Sequence, residues 1–136
     1  MMAVAEGFEP LFRSSPYLDL IGPVYCRKRS HGGWKVGMCV AEKHCNGRGT
    51  LHGGVISSLA DVALGYNAAF IGSVPQALVT INLNVDFTGS AFVDDWLEVH
   101  CDVYKQGRSL IYGNAFFLRG DERIGRANAI FRSLEK

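Results

Sequence analysis

The chain has 136 residues, 48% of them apolar and 20% charged, which suits one domain with a single hydrophobic core and argues against intrinsic disorder. Fourteen basic against thirteen acidic side chains leave a formal net charge of +1, so no overall positive field exists to condense onto nucleic acid or an anionic membrane. Four cysteines without CxxC spacing, and a Met1 to Glu6 start with no basic stretch ahead of an apolar one, point to reduced thiols and a cytoplasmic location.

Residues 1–21 mix Phe8, Leu11, Phe12, Tyr17 and Leu18 with Pro10 and Pro16, and read as a short, interrupted N-terminal helical segment ahead of a core over 22–136. Runs rich in Val, Cys, Tyr and Trp at 23–30 and 34–42 flank Gly32 and Gly33, which predicts a β-hairpin. A polar loop from His44 to Gly49 follows. Residues 53–72 are apolar nearly all round, the pattern of a buried helix. Asp61 in mid-span, scattered Gly, Ser and Asn, and the lack of a second such segment speak against a membrane span.

Beyond the break at Gly72 to Pro75, Val79, Ile81, Leu83, Val85 and Phe87 alternate with polar residues, predicting a strand with one buried face. Residues 98–103 repeat the alternation. A turn around Gly107, a strand over 110–118, a turn at Gly120 and a strand over 124–133 complete the chain, the last two strands alternating poorly. The sum is an α+β layout, a curved antiparallel sheet of five to six strands around one long helix.

Asp61 is the only charged side chain between Arg48 and Asp86 apart from the titratable His52, and it falls in the most apolar stretch of the chain. A carboxylate there must be paired, hydrogen-bonded or neutralised, so it is either a structural anchor or a functional acid or base. Gly49 to Gly54 leads straight into the helix and presents backbone N–H groups at its start, suited to a phosphate or to the oxyanion of a carbonyl under attack. His52 lies nine residues from Asp61, roughly 13 Å along a helix, so the two do not meet within one chain. His44, Cys45 and His52 match no standard zinc spacing, and Ser57 and Ser58 lack the strand-GxSxG-helix context of a nucleophile. The basic residues of 22–48 and 105–136 suit either a small phosphorylated ligand or solvated strand faces.

Taken together, Asn46-(x5)-His52-Gly53-Gly54-(x4)-Leu59-(x)-Asp61 resembles the signature of hotdog-fold acyl-CoA thioesterases of the phenylacetate-degradation (PaaI) type, which include thioesterase superfamily member 2. The likeness extends over roughly 16–134, through the strand bearing Thr80, Asn82 and Asn84 and the turn Lys105-Gln106-Gly107-Arg108-Ser109-Leu110. It implies a homodimer with active sites at the subunit interface, assembled into a homotetramer, acting on acyl-CoA with neither metal nor redox cofactor. It further implies Asp61 as general base or nucleophile, the Gly53 N–H as oxyanion donor and Asn46 as a positioning amide. Thr80 would hold the water or the acid, and His52 would orient the loop. Gly54, Asn82 and Phe87 would line the substrate site, with Tyr66 and Phe70 suiting an aryl or longer acyl group, and residues 105–110 would receive the CoA tail. The same fold hosts acyl-CoA-sensing regulators and hydratases or dehydratases, which are the alternative functions.

Overall fold

The computed structural model describes residues 3–134; Met1 and Met2 of the expected N-terminal segment, and Glu135 and Lys136 of the basic C-terminal stretch, lie outside the described residues. In chain order the elements are β1 (Glu9–Pro10), α1 (Pro16–Ile21), β2 (Tyr25–Lys28), β3 (Trp34–Cys39), a 3-10 turn (Glu42–His44), α2 (Gly53–Ala69), β4 (Leu78–Phe87), β5 (Trp96–Gln106), β6 (Leu110–Arg119) and β7 (Glu122–Ser133). They form one antiparallel sheet in the order β1-β2-β3-β5-β6-β7-β4. The sheet has seven strands where five to six were expected, because the N-terminal segment contributes the two-residue β1, paired to β2 at Glu9↔Cys26 and Pro10↔Tyr25. α1 is shorter than the expected helical segment and begins with Pro16 behind the Ser15 cap.

α2 lies in the concave face of this sheet, with Leu59, Ala60, Ala63 and Leu64 fully buried. Opposite it stand Val36, Met38, Leu97, Val99, Phe117 and Phe131, and the two faces make one core. β6 over 110–117 and β7 over 125–131 alternate between buried and more exposed positions, although their sequences do not look alternating. Their buried positions include Gly113, Ala115, Ala127 and Ala129, small residues that let the helix approach. A Cβ at Gly113 would come within 3.0 Å of the Leu64 side chain.

The β2–β3 hairpin turns at Gly32 and Gly33, whose φ angles of +103° and +79° favour glycine. Its far side is tied to the helix by the buried Asn67. The Asn67 Oδ1 accepts from the Trp34 N–H at 2.9 Å, and its Nδ2 donates to the Trp34 and Ala63 carbonyls at 3.1 and 2.8 Å. β4 differs in kind. It pairs only with β7, so its other edge is open, and Val79 and Ile81 stand 42% and 53% exposed.

Candidate active site

The strict alternation expected for β4 breaks at Ile81. Thr80 pairs with Phe131 and Asn82 with Ile130, so Ile81 is an extra residue in the ladder. Such a bulge reverses the phase of a strand. Thr80 therefore shares the helix-facing side with Leu83 and Val85, while Asn82 and Asn84 go to the outer face. The consequence is a direct bond between sheet and helix, in which the Thr80 hydroxyl donates to Asp61 Oδ1 at 2.6 Å. Asp61 is half-buried, and its placement in the most apolar segment is met by this partner and by a cleft beside it. That cleft holds about 380 Å³ and is walled by Val62, Gly65, Tyr66, Ala69, Phe70, Leu78 and Phe131 together with Arg13, Ser14, Gln76 and Thr80.

The start of α2 is organised by His52, whose Nδ1 accepts the Gly54 N–H at 2.8 Å as a helix cap. A structural reason for Gly54 is that a Cβ there would lie 3.0 Å from that ring. No hydrogen-bond acceptor for the Gly53 N–H is found among the described residues. Gly53 and Asp61 are eight residues apart on one helix, about 12 Å along its axis. Within a single chain the Gly53 N–H and the Asp61 carboxylate are therefore too far apart to reach the same small group.

Asn46 holds its own loop. Its Oδ1 accepts from the Arg48 and Thr50 N–H groups at 2.9 and 3.2 Å, and its Nδ2 donates to Thr50 Oγ1 at 2.9 Å. One Nδ2 hydrogen remains for a ligand. Asn82, expected on the pocket wall, is turned away by the bulge and accepts from Asn84 Nδ2 at 2.6 Å on the outer face. Phe87, expected near Tyr66 and Phe70, instead packs at the opposite end of α2, with its ring 3.2 Å from where a Gly53 Cβ would be. The segment Lys105–Leu110 forms the β5–β6 turn, closed by Gly107 N–H to Leu110 C=O at 2.7 Å, with Lys105, Gln106, Arg108 and Ser109 exposed. None of the six lines the Asp61 cleft, although Ser109 C=O accepts from Ser133 N–H beside the start of β4.

Two organising residues carry no sequence signal of their own. His44 is 1% exposed, with Nδ1 accepting the Ala41 N–H at 2.9 Å and Nε2 donating to the Ile21 carbonyl at 2.5 Å. Burial pushes its pKa below the ordinary imidazole value, Lys43 adding to this while the Ile21 contact opposes it. With both nitrogens occupied, His44 fixes the loop that carries Asn46, since its own carbonyl accepts the His52 N–H at 2.8 Å. Tyr66 is the other, its hydroxyl donating to the Arg13 carbonyl at 2.5 Å.

Comparison with known proteins follows the same lines. The model of the thioesterase superfamily matches residues 48–125, more than half of the chain and including Gly53, Asp61 and Thr80. A Pseudomonas aeruginosa protein named "Putative esterase PA0474" is 49% identical over 131 residues, covering 96% of this chain and 98% of that protein. Zebrafish thioesterase superfamily member 2 superposes with a TM-score of 0.79 at 23% identity, covering 89% of this chain and 88% of that one. The Escherichia coli PaaI protein of the phenylacetic acid degradation operon superposes with a TM-score of 0.79 at 22% identity, covering 89% and 86%. The last two likenesses concern the fold, a long helix wrapped by a curved antiparallel sheet. No helix among the described residues is long and apolar enough to cross a membrane. A hotdog sheet around a buried helix, an acid held in a cleft by a strand hydroxyl, and the family match over both elements place this chain in the thioesterase superfamily of hydrolases.

Proposed function

We propose that this protein hydrolyses acyl-CoA thioesters to a free acid and CoA, at sites completed by a second copy of the chain. The observation that carries the reading is the 2.6 Å bond from Thr80 Oγ1 to Asp61 Oδ1 at the edge of a cleft that both residues line, because it fixes one carboxylate oxygen and leaves the other for chemistry. In one route Oδ2 takes a proton from water as the water oxygen attacks the thioester carbonyl. In the other the carboxylate itself attacks, giving an anhydride that water then cleaves. In both, negative charge collects on the carbonyl oxygen, where the Gly53 N–H at a helix start would stabilise it. The C–S bond then breaks and the CoA thiolate takes up a proton. Hydrolysis transfers no electrons, and CoA enters as part of the substrate rather than as a resident cofactor.

Because about 12 Å of helix separates Gly53 from Asp61, the reading requires the helix start of one copy to face the acid of another. The open edge of β4, with Val79 and Ile81 exposed, is the surface through which two sheets would join, and a homotetramer of such dimers in the cytoplasm completes the proposal. Exposed Lys105 and Arg108 would meet the CoA phosphates, and Asn46 would offer its remaining amide hydrogen to the carbonyl or the water.

Release of free thiol from a panel of short, long and aryl acyl-CoAs tests the proposal. Asp61→Asn should lower kcat by on the order of 10² to 10⁴ with folding intact. Thr80→Val should lower it by roughly tenfold, and Thr80→Ser should restore it. A folded Asp61→Asn protein that turns over at the wild-type rate contradicts the mechanism.

A further inference from the structure

The N-terminal segment brings a charged residue to the Asp61 cleft that the proposed chemistry does not use. Residues 11–21 run across α2 and are fastened there at several points. Phe12 packs its ring against Trp34, Tyr66 and Phe70, with centroids 5.0 to 5.4 Å apart. Tyr66 holds the Arg13 carbonyl, and the Tyr17 and Ser58 hydroxyls meet at 2.5 Å. These contacts fix the backbone on both sides of Arg13. Its guanidinium stands 5.3 Å over the Phe70 ring, and the residue lines the cleft.

Arg13 and Asp61 are the only charged residues lining that cleft, and no ion pair joins them. Nor does any other carboxylate among the described residues pair with Arg13. The two charges belong to different parts of α2, Asp61 to its middle and Arg13 to the Phe70 cap at its C-terminus. Asp61 is nine residues from Phe70, about 13 Å along the helix. Besides these charges the lining is Val62, Gly65, Ala69, Phe70, Pro75, Leu78 and Phe131 with four polar side chains, of which Ser14 donates to Asp19, Thr80 to Asp61 and Tyr66 to the Arg13 carbonyl, leaving the Gln76 amide. With three of the four polar side chains already donating within the protein, the lining offers few partners to the several amides of a pantetheine arm, which need them when desolvated, and its apolar majority suits a methylene chain.

We infer that Arg13 is a specificity-determining residue that receives a carboxylate at the far end of the acyl chain, making half-thioesters of dicarboxylic acids the preferred substrates. The inference rests on the thioesterase reading and adds to it the chemistry of the acyl terminus. A guanidinium presents a planar fork of donors that matches a carboxylate, and the Phe70 ring beneath it limits its freedom. With a methyl terminus the guanidinium gains nothing from the acyl chain. The same anionic chemistry could reach Arg13 from the CoA phosphates instead, so the test separates the two sources.

Steady-state kinetics with octanoyl-CoA, its ω-carboxylated counterpart suberyl-CoA, and octanoyl-pantetheine, which lacks the phosphates, provide the test. Arg13→Gln should raise KM for suberyl-CoA by about tenfold to a hundredfold, and should raise it far less for either octanoyl thioester. Arg13→Lys, which keeps the charge and loses the fork, should recover part of the loss. An equal rise for both CoA thioesters, absent with octanoyl-pantetheine, would overturn the inference and assign Arg13 to the CoA phosphates. Unchanged KM values throughout would overturn it as well, leaving Arg13 a ring-stacking residue. Should the wild type cleave none of the three, the hydrolytic reading fails separately, and calorimetric binding of suberyl-CoA decides on Arg13. Weaker binding by Arg13→Gln supports the inference, and equal binding contradicts it.

Discussion

His44 is buried with both ring nitrogens bonded in the loop ahead of α2, and it gives that loop a pH dependence. Its imidazole is held neutral by burial, below the ordinary value of 6.5. The unfolded chain, with an ordinary imidazole, binds more protons than the folded one between these two values. Stability therefore rises with pH through that window, and it is lost as pH falls below about 6.5 until the folded imidazole also protonates. Urea unfolding between pH 8 and 5 should show this slope, and His44→Gln should flatten it; an unchanged slope in the variant would contradict the assignment. Residues differ in how far the sequence reveals them. Asp61 is legible because a lone carboxylate in an apolar helix demands an explanation. His44 is not, since its partners are the backbone groups of Ala41 and Ile21, which any residue there would supply. Arg13 is hidden likewise, because its nearness to Phe70 depends on the path of a segment with few pattern cues.

Among elements, β4 decides the most. Period two correctly marks a strand over 79–87 but assigns Thr80 to the wrong face, and no residue type announces the bulge at Ile81. That single extra residue brings Thr80 to Asp61 and turns Asn82 outward. In β6 and β7 the difficulty is of another kind. Their inward positions alternate, but they are filled by Gly113, Ala115, Ala127 and Ala129, so the contrast that reveals a buried face is missing where the helix approaches. The helix itself is legible because it is wrapped on several sides and hence apolar on several sides. If two copies join along β4, a charge placed on its open edge should separate them. Ile81→Lys is expected to sediment at half the wild-type mass with an unchanged circular dichroism spectrum and little thioesterase activity. A variant that keeps the wild-type mass and activity would remove β4 from the interface.

At the scale of the whole molecule, one chain carries both halves of the proposed catalytic arrangement but holds them apart. Asp61 with Thr80 sits in mid-helix, and the uncommitted Gly53 N–H sits about 12 Å away at the helix start. A symmetric pair would bring each half to its complement twice over. The fold and the acid could be read from the sequence, whereas the separation becomes a statement about assembly only once the cleft, the bulge and the open strand are placed together. Subunit complementation tests this most directly. Asp61→Asn removes the acid, and Gly53→Pro removes the N–H at a helix position that accommodates proline. Each variant should be nearly inactive alone. Mixed dimers would contain one doubly altered site and one intact site, so random reassociation of equal amounts should restore about a quarter of wild-type thiol release. Mixed dimers as inactive as either parent would contradict a shared site and return the chemistry to a single chain.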